Sequence, residues 1–394
     1  MKKIVFGLAL GVLIFAATRK VAAQAPSWES LASRIVNETA SVKPGERVVV
    51  QGGKHTMVLM EQIAAELHRK GAHPLMITES DVSLRALWHE KPMANLADYP
   101  SHILALFKEA SYVIGLPDSE NFKEIYQTAD PKRSAAIGSI SEKLLDEMSR
   151  ETNLSSVYVN FPNKKVAEVA GLDVATYEKM HWAAVNTNYA PIRAQGEKIM
   201  ALLKGAKQVR ITTREGTDLT FSMGDRLVFA DDGVLSAEEK SSKEMFARFA
   251  SLPGGWMDFA PLESSVNGKV VIPQARCDFE PMKGIAFEVK NGIMQNFTAS
   301  HRGDCYEKEM APHTGAKSTV SIFTIGLNPE VKVIQNEKTD YRENIAAGYI
   351  SLAVGGNNRP YRGAVAATGG FTFPLVNATL QIDGAMVIKD GKVQ

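Results

Sequence analysis

The stretch Lys43-Pro44-Gly45-Glu46-Arg47-Val48-Val49-Val50-Gln51-Gly52-Gly53-Lys54-His55-Thr56 sets a chain breaker, a short apolar run and a glycine pair side by side. Pro44-Gly45 ends whatever precedes it, because proline lacks an amide hydrogen and glycine tolerates turn conformations. Arg47 to Val50 then reads as a buried strand. From Thr56 to Lys70 the apolar residues Val58, Leu59, Ile63, Ala64 and Leu67 recur at helical spacing, and Gly71 ends the run. A strand followed at once by a helix is half of a crossover unit. His73-Pro74-Leu75-Met76-Ile77 supplies the next strand, and Tyr112-Val113-Ile114-Gly115 and Ser156-Val157-Tyr158-Val159-Asn160 two more. Helical patterns fall at 28–39, 84–88, 102–109, 140–151 and about 192–203, the last after Ala190-Pro191. This alternation predicts a parallel sheet covered by helices.

The texture changes after Gly205. Val209-Arg210-Ile211-Thr212 and Leu219-Thr220-Phe221-Ser222 alternate around an Arg214-Glu215-Gly216 turn. Asn267-Gly268, Asn291-Gly292, Asp383-Gly384 and Asp390-Gly391 each sit between strand-like residues and read as two-residue hairpin turns. One helix is expected at 237–249. The predicted organisation is an α/β N-terminal domain with a parallel sheet at 24–204 and a β-rich α+β C-terminal domain at 205–394.

Residues 1–23 begin Met1-Lys2-Lys3, run apolar over 4–18 and end Val21-Ala22-Ala23. A basic start, a short apolar core and small residues before Gln24 predict a cleaved export signal and a periplasmic or secreted protein. The run is too short to span a bilayer, so no stable membrane span is expected after cleavage. Cleavage leaves 41 basic against 44 acidic side chains, a net charge of −3. Such a balance gives no electrostatic reason to expect nucleic acid. Cys277 and Cys305 are the two cysteines. In an oxidising compartment they could pair, and two buried free thiols are the equal alternative.

His181-Trp182-Ala183-Ala184-Val185-Asn186-Thr187-Asn188-Tyr189, a helix, and Ile211-Thr212-Thr213-Arg214-Glu215-Gly216-Thr217-Asp218-Leu219 follow one another in an order that resembles the thermophilic aminopeptidase (aminopeptidase T) family. Asp258-Phe259-Ala260-Pro261, Ile325-Gly326-Leu327-Asn328-Pro329 and Gly348-Tyr349-Ile350-Ser351-Leu352-Ala353-Val354-Gly355 extend the resemblance across roughly 28–394. It implies the family's two-part fold, and a homodimer. It also implies two divalent metals held by Glu, His, Tyr and Asp side chains, which could polarise a peptide carbonyl and supply hydroxide.

The residues at those positions are different ones. Trp256 follows Pro253-Gly254-Gly255 where the resemblance places a Glu. Ile322 stands for a second Glu, Ser351 for a His, Asn358 for a Tyr, and Gly370 and Thr372 for a His and an Asp. No His follows His313, and the later Asp residues are Asp340, Asp383 and Asp390. Ile, Ser, Gly and Trp are not ligands for such ions. Neither a metal site, a cofactor nor a catalytic residue is therefore assigned.

Other constellations are weak. His301, Asp304, Cys305 and Glu307 form a dense group of candidate ligands, but their spacing fits no standard metal motif. Gly52-Gly53 before His55 could receive an anion, though no nucleotide motif is present. Ser351 and Thr372 lack the elbow of a serine hydrolase. The run Gly355-Gly356-Asn357-Asn358-Arg359-Pro360-Tyr361-Arg362 borders the family's cleft. The expectation is a divergent, exported protein that has lost peptidase chemistry and binds a small molecule or peptide through Trp256, Asn357, Asn358 and Arg362. The alternative is an enzyme, an aminopeptidase or other hydrolase, with ligands relocated to His301, Asp304 and Glu307.

Overall fold

The computed structural model describes residues 27–126, 128–278, 280–336, 339–357 and 361–394. The expected export signal and Asn358 lie outside them.

The predicted α/β layer is present. Strands β1 (Arg47–Gly53), β2 (His73–Glu79), β3 (Tyr112–Gly115) and β4 (Ser155–Val159) pair in parallel. The helix Met57–Arg69 buries Leu59, Ile63, Ala64 and Leu67 of the expected stripe, whereas Val58 faces solvent and Met60 takes its place in the core. A fifth strand comes from beyond residue 205: β8 (Phe249–Leu252) pairs in parallel with β4, so the order is β2-β1-β3-β4-β8.

This strand corrects the helix expected at 237–249. The helix stops at Ser241, a single 3-10 turn covers Met245–Arg248, and the chain turns extended at Phe249. Burial of Arg248 accounts for the break. Its guanidinium donates to the carbonyls of Ser242 (2.6 Å), Leu154 (3.1 Å) and Thr152 (3.3 Å), which fastens the chain to the entry of β4.

The β-rich part holds two larger antiparallel sheets. One runs β12 (Ile293–Thr298), β11 (Glu280–Lys290), β10 (Asn267–Cys277), β6 (Asp218–Phe221), β5 (Val209–Thr212), β18 (Thr379–Ile382), β19 (Ala385–Lys389) and β20 (Lys392–Val393). The other runs β17 (Gly370–Leu375), β16 (Ile350–Gly355), β13 (Val320–Gly326), β9 (Trp256–Phe259) and β7 (Val228–Asp231). A short ladder joins β14 (Ile334–Gln335) to β15 (Asp340–Tyr341).

Three of the four Asx-Gly pairs close hairpins as expected: Asn291-Gly292, Asp383-Gly384 and Asp390-Gly391 all have both residues at positive φ. Asn267-Gly268 does not. It opens β10, where Asn267 pairs with Thr220 and Gly268 with Leu219. A Cβ on Gly268 would lie 2.0 Å from the Asp218 carbonyl oxygen, so the glycine serves close strand approach rather than a turn. Cys277 and Cys305 are disulfide-bonded, tying β10 to the helix Gly303–Met310.

Candidate functional site

In an antiparallel ladder, directly paired residues project to the same face, and alternate residues of each strand share it. In the five-stranded antiparallel sheet, Asp258 pairs with Thr324, Thr324 with Ser351, and Trp256 with Gly326. Ile322 pairs with Ala353, Ala353 with Thr372, and Gly355 with Gly370. One face therefore presents Trp256, Asp258, Ile322, Thr324, Ser351, Gly370 and Thr372. The other presents Phe259, Phe323, Ile325, Leu352, Val354 and Phe373, all buried in the main core. The sheet thus gathers five positions that lie far apart in sequence, Trp256, Ile322, Ser351, Gly370 and Thr372, onto one surface. Gly370 and Thr372 are exposed, Trp256 and Ile322 half-buried and Ser351 buried.

A built turn delivers Trp256. Tyr189 Oη accepts from the Gly254 amide at 3.1 Å, and Asn328 Nδ2 donates to the Gly254 carbonyl at 2.8 Å. The Gly255 amide donates to the Asp231 carbonyl at 2.8 Å. Gly255 has φ +109°, and a Cβ there would meet Asn328 at 2.8 Å. The Asp231 carboxylate accepts from the amides of Ser251 and Gly233 at 2.9 Å each, and burial pushes its pKa up to about 7. These bonds join β7, β8 and β9, so the position of the Trp256 ring follows from the junction of two sheets.

Asp258 and Asp231, the latter paired with Trp256, are the carboxylates of this face, and sequence reasoning passed over Asp258 because it lies between apolar residues in a strand. Burial raises its pKa to about 6, against the hydrogen bonds of Thr324 and Tyr361. The Tyr361 hydroxyl donates to Oδ2 at 3.0 Å, while Oδ1 and the buried Ser351 hydroxyl have no hydrogen-bond partner among the described residues. Alternation along β9 placed Asp258 on the same face as Trp256, which was the available signal.

The loop residues take different roles. Asn357 is 1% exposed, and its side chain is consumed internally. Nδ2 donates to Glu263 Oε1 (2.8 Å) and the Ser321 carbonyl (2.9 Å), and Oδ1 accepts from the Val365 amide (3.0 Å). Glu263 in turn holds Arg226 at 2.6 Å. Asn357 therefore shapes the loop. Arg362 is exposed at φ +55° and pairs with Glu244 at 2.6 Å.

The relocated ligand set is not assembled. Asp304 is exposed and pairs with Lys308 at 2.7 Å, Glu307 is exposed, and Cys305 is in the disulfide. Among the described residues, Cys277, Cys305 and Glu309 form the one group close enough to share an ion. Its sulfurs are bonded to each other and offer no thiolate. The helix Gly303–Met310 points Asp304 and Glu307 to solvent, and that is why density in sequence did not become convergence.

Residues 25–355 match the model of the thermophilic metalloprotease (M29) family. Wild-type AmpT from Thermus thermophilus superposes with a TM-score of 0.72 at 15% identity, over 93% of this chain and 98% of that one. 2,5-Dihydroxypyridine dioxygenase from Pseudomonas putida superposes with a TM-score of 0.59 at 14% identity, over 93% of this chain and 96% of that one. At these identities the likeness shows the fold. Among curated proteins none matches the sequence. No helix among the described residues is long and apolar enough to cross a membrane.

Proposed function

The chain belongs to the thermophilic metalloprotease family, and we propose that it is an exported member whose cleft binds a small molecule or short peptide without metal-dependent hydrolysis. The carrying observation is the donor set of the cleft face. Two divalent ions need several anionic or imidazole donors. Trp256, Ile322, Ser351, Gly370 and Thr372 supply none; of the two carboxylates on this face, Asp231 is taken up by the Gly233 and Ser251 amides, and desolvation holds half-buried Asp258 up at a pKa of about 6. The residues present do not fit a two-metal centre, and no catalytic step is derived through one.

What the face does offer suits binding. Trp256 presents a half-buried apolar ring on β9, and Thr372 and Gly370 are exposed on the same face at the far edge of the sheet, on β17. Arg362 stands at the end of the loop that Asn357 and Glu263 hold in shape, available to a carboxylate if it exchanges its contact with Glu244.

The test has two arms. The mature protein, supplied in turn with cobalt, zinc and magnesium, is assayed on leucine p-nitroanilide and on tripeptides. Turnover should equal the protein-free blank. A mixture of tripeptides is then dialysed against the protein and against Trp256→Ala, with retained peptides read by mass spectrometry. Retention by the parent and its loss in Trp256→Ala are expected. Metal-stimulated release of amino-terminal residues would overturn the reading, as would equal retention by both proteins.

A further inference from the structure

A cavity lies away from the antiparallel face, at the carboxyl ends of the parallel strands. Its volume is about 360 Å³. The segments after β3 and β4 and the Pro253 turn after β8 form its floor, and residues of the helix Val174–Val185 and of β15 close its side. In open α/β sheets this end of the strands is where loops leave room for ligands.

The lining has one sign of charge. Asp118 and Glu343 contribute carboxylates, and Tyr126, Tyr158, Tyr177 and Tyr341 contribute rings. Among the described residues, neither Lys nor Arg lines the cavity. The acids stand with different tyrosines. The Tyr126 hydroxyl donates to Asp118 Oδ2 at 2.9 Å, and the Asp118 charge also acts on Tyr158. Glu343 acts on both Tyr341 and Tyr177. Tyr177 and Tyr341 are 6% and 4% exposed, with ring centroids 5.9 Å apart and nearly perpendicular planes.

Glu343 is under-compensated. Burial raises its pKa to about 7 despite the Tyr341 hydrogen bond and the attraction of Arg276. Arg276 is committed elsewhere: its Nε lies 3.4 Å from Asp340 Oδ2, which Arg342 also holds at 2.6 Å. His181, four residues after Tyr177 and so on the same helix face, adds no positive charge. Burial lowers its pKa to about 4, and its Nε2 donates to the Asn160 carbonyl at 3.1 Å. The walls are fixed by internal bonds: Asn163 Nδ2 donates to the Glu120 carbonyl at 2.9 Å, and Ser119 Oγ donates to Asp81 at 2.7 Å.

Carboxylates and electron-rich ring faces around a cavity without a cation are the chemistry that recognises a positively charged organic group. We propose that this cavity is a binding site for a small organic cation of the quaternary or alkylated ammonium class, with Glu343 as its counter-ion and Tyr177 and Tyr341 as its aromatic walls. A rigid, desolvated wall of this kind favours the cation over a neutral molecule of the same shape by tenfold or more.

The mature protein is titrated calorimetrically with tetramethylammonium, choline and benzyltrimethylammonium, and with 3,3-dimethylbutan-1-ol, the neutral isostere of choline. At least one cation should bind, and choline at least about tenfold more tightly than its isostere. Glu343→Gln keeps the shape and removes the charge, and should weaken cation binding about tenfold with an unchanged circular dichroism spectrum. Tyr158→Ala, at the exposed rim, should weaken it less. Trp256→Ala should leave it unaltered, which separates this site from the cleft on the antiparallel sheet. Equal binding of choline and its isostere would overturn the proposal. So would no binding by any of the three cations, or full affinity in Glu343→Gln.

Discussion

The two faces of the β17-β16-β13-β9-β7 sheet differ sharply. On one, Phe259, Phe323, Ile325, Leu352, Val354 and Phe373 interdigitate with the rest of the core, and Phe323 stacks on Phe221 with centroids 4.5 Å apart. On the other, buried Ser351 and Thr324 and the carboxylate of Asp258 lie side by side, and two of their polar atoms have no partner among the described residues. The first face is held by dense apolar packing and tolerates little change of volume. On the second, polar groups remain buried although burial penalises them. Apolar packing is concentrated on one side of a single sheet, and buried polar groups on the other.

The most severe way to break this contrast is truncation on the apolar face. Phe323 is fully buried between Phe221 and Phe259. Phe323→Ala removes a ring and leaves a cavity, and should destabilise the protein by about 3–5 kcal/mol. Urea unfolding read by circular dichroism gives the number. A loss below about 1 kcal/mol would mean that this face is not the stabilising one.

The contrast also explains what the sequence could reveal. Arg47-Val48-Val49-Val50 and Tyr112-Val113-Ile114-Gly115 announced parallel strands because apolar runs bounded by breakers have few other uses. Three Asx-Gly turns followed from the backbone freedom that a two-residue hairpin needs. Asn267-Gly268 misled because the same glycine also permits two strands to touch, which is a tertiary requirement. Phe249 was read as the end of a helix because its strand partner, β4, lies some ninety residues earlier. Trp256 was singled out from its place after Pro253-Gly254-Gly255, and its pairing with Gly326 puts it on the polar face. Asn357 looked like a binding residue because an amide in a glycine-rich loop gives no sign of whether its partners are solvent or Glu263. The cavity at the ends of the parallel strands was invisible, since its walls come from segments between 117 and 345 that only the fold brings together.

A middle-sized effect should appear on the polar face at Asp258. In the unfolded chain its carboxyl titrates near 3.8, and in the fold burial raises it to about 6. Between those values the folded chain holds a proton that the unfolded chain has lost. Stability from this group therefore falls as pH rises from about 4 to about 6, and stays low above that. The shift corresponds to about 3 kcal/mol. Asp258→Asn keeps the shape and cannot ionise, so its advantage over the parent should be small near pH 4 and grow to about that size at pH 7. Asp231 and Glu343 shift in the same direction. The informative quantity is hence the difference between variant and parent in urea midpoints across pH. A difference independent of pH would mean that Asp258 is not the titrating group.

The smallest effect sharpens the comparison most, because it is expected to have the opposite sign from truncation of Phe323. Ser351 is 1% exposed, and its hydroxyl is buried without a partner among the described residues. Ser351→Ala deletes the orphaned hydroxyl and leaves space for less than one methyl group. Relief from the desolvation penalty is worth about 1 kcal/mol and outweighs the small void. The variant should therefore be more stable than the parent by up to about 1 kcal/mol, read as a higher urea midpoint with an unchanged slope. Destabilisation by Ser351→Ala would instead show that the hydroxyl has a partner in solution. The polar face would then be a satisfied network, and its claim to be a binding surface would rest on Trp256 alone.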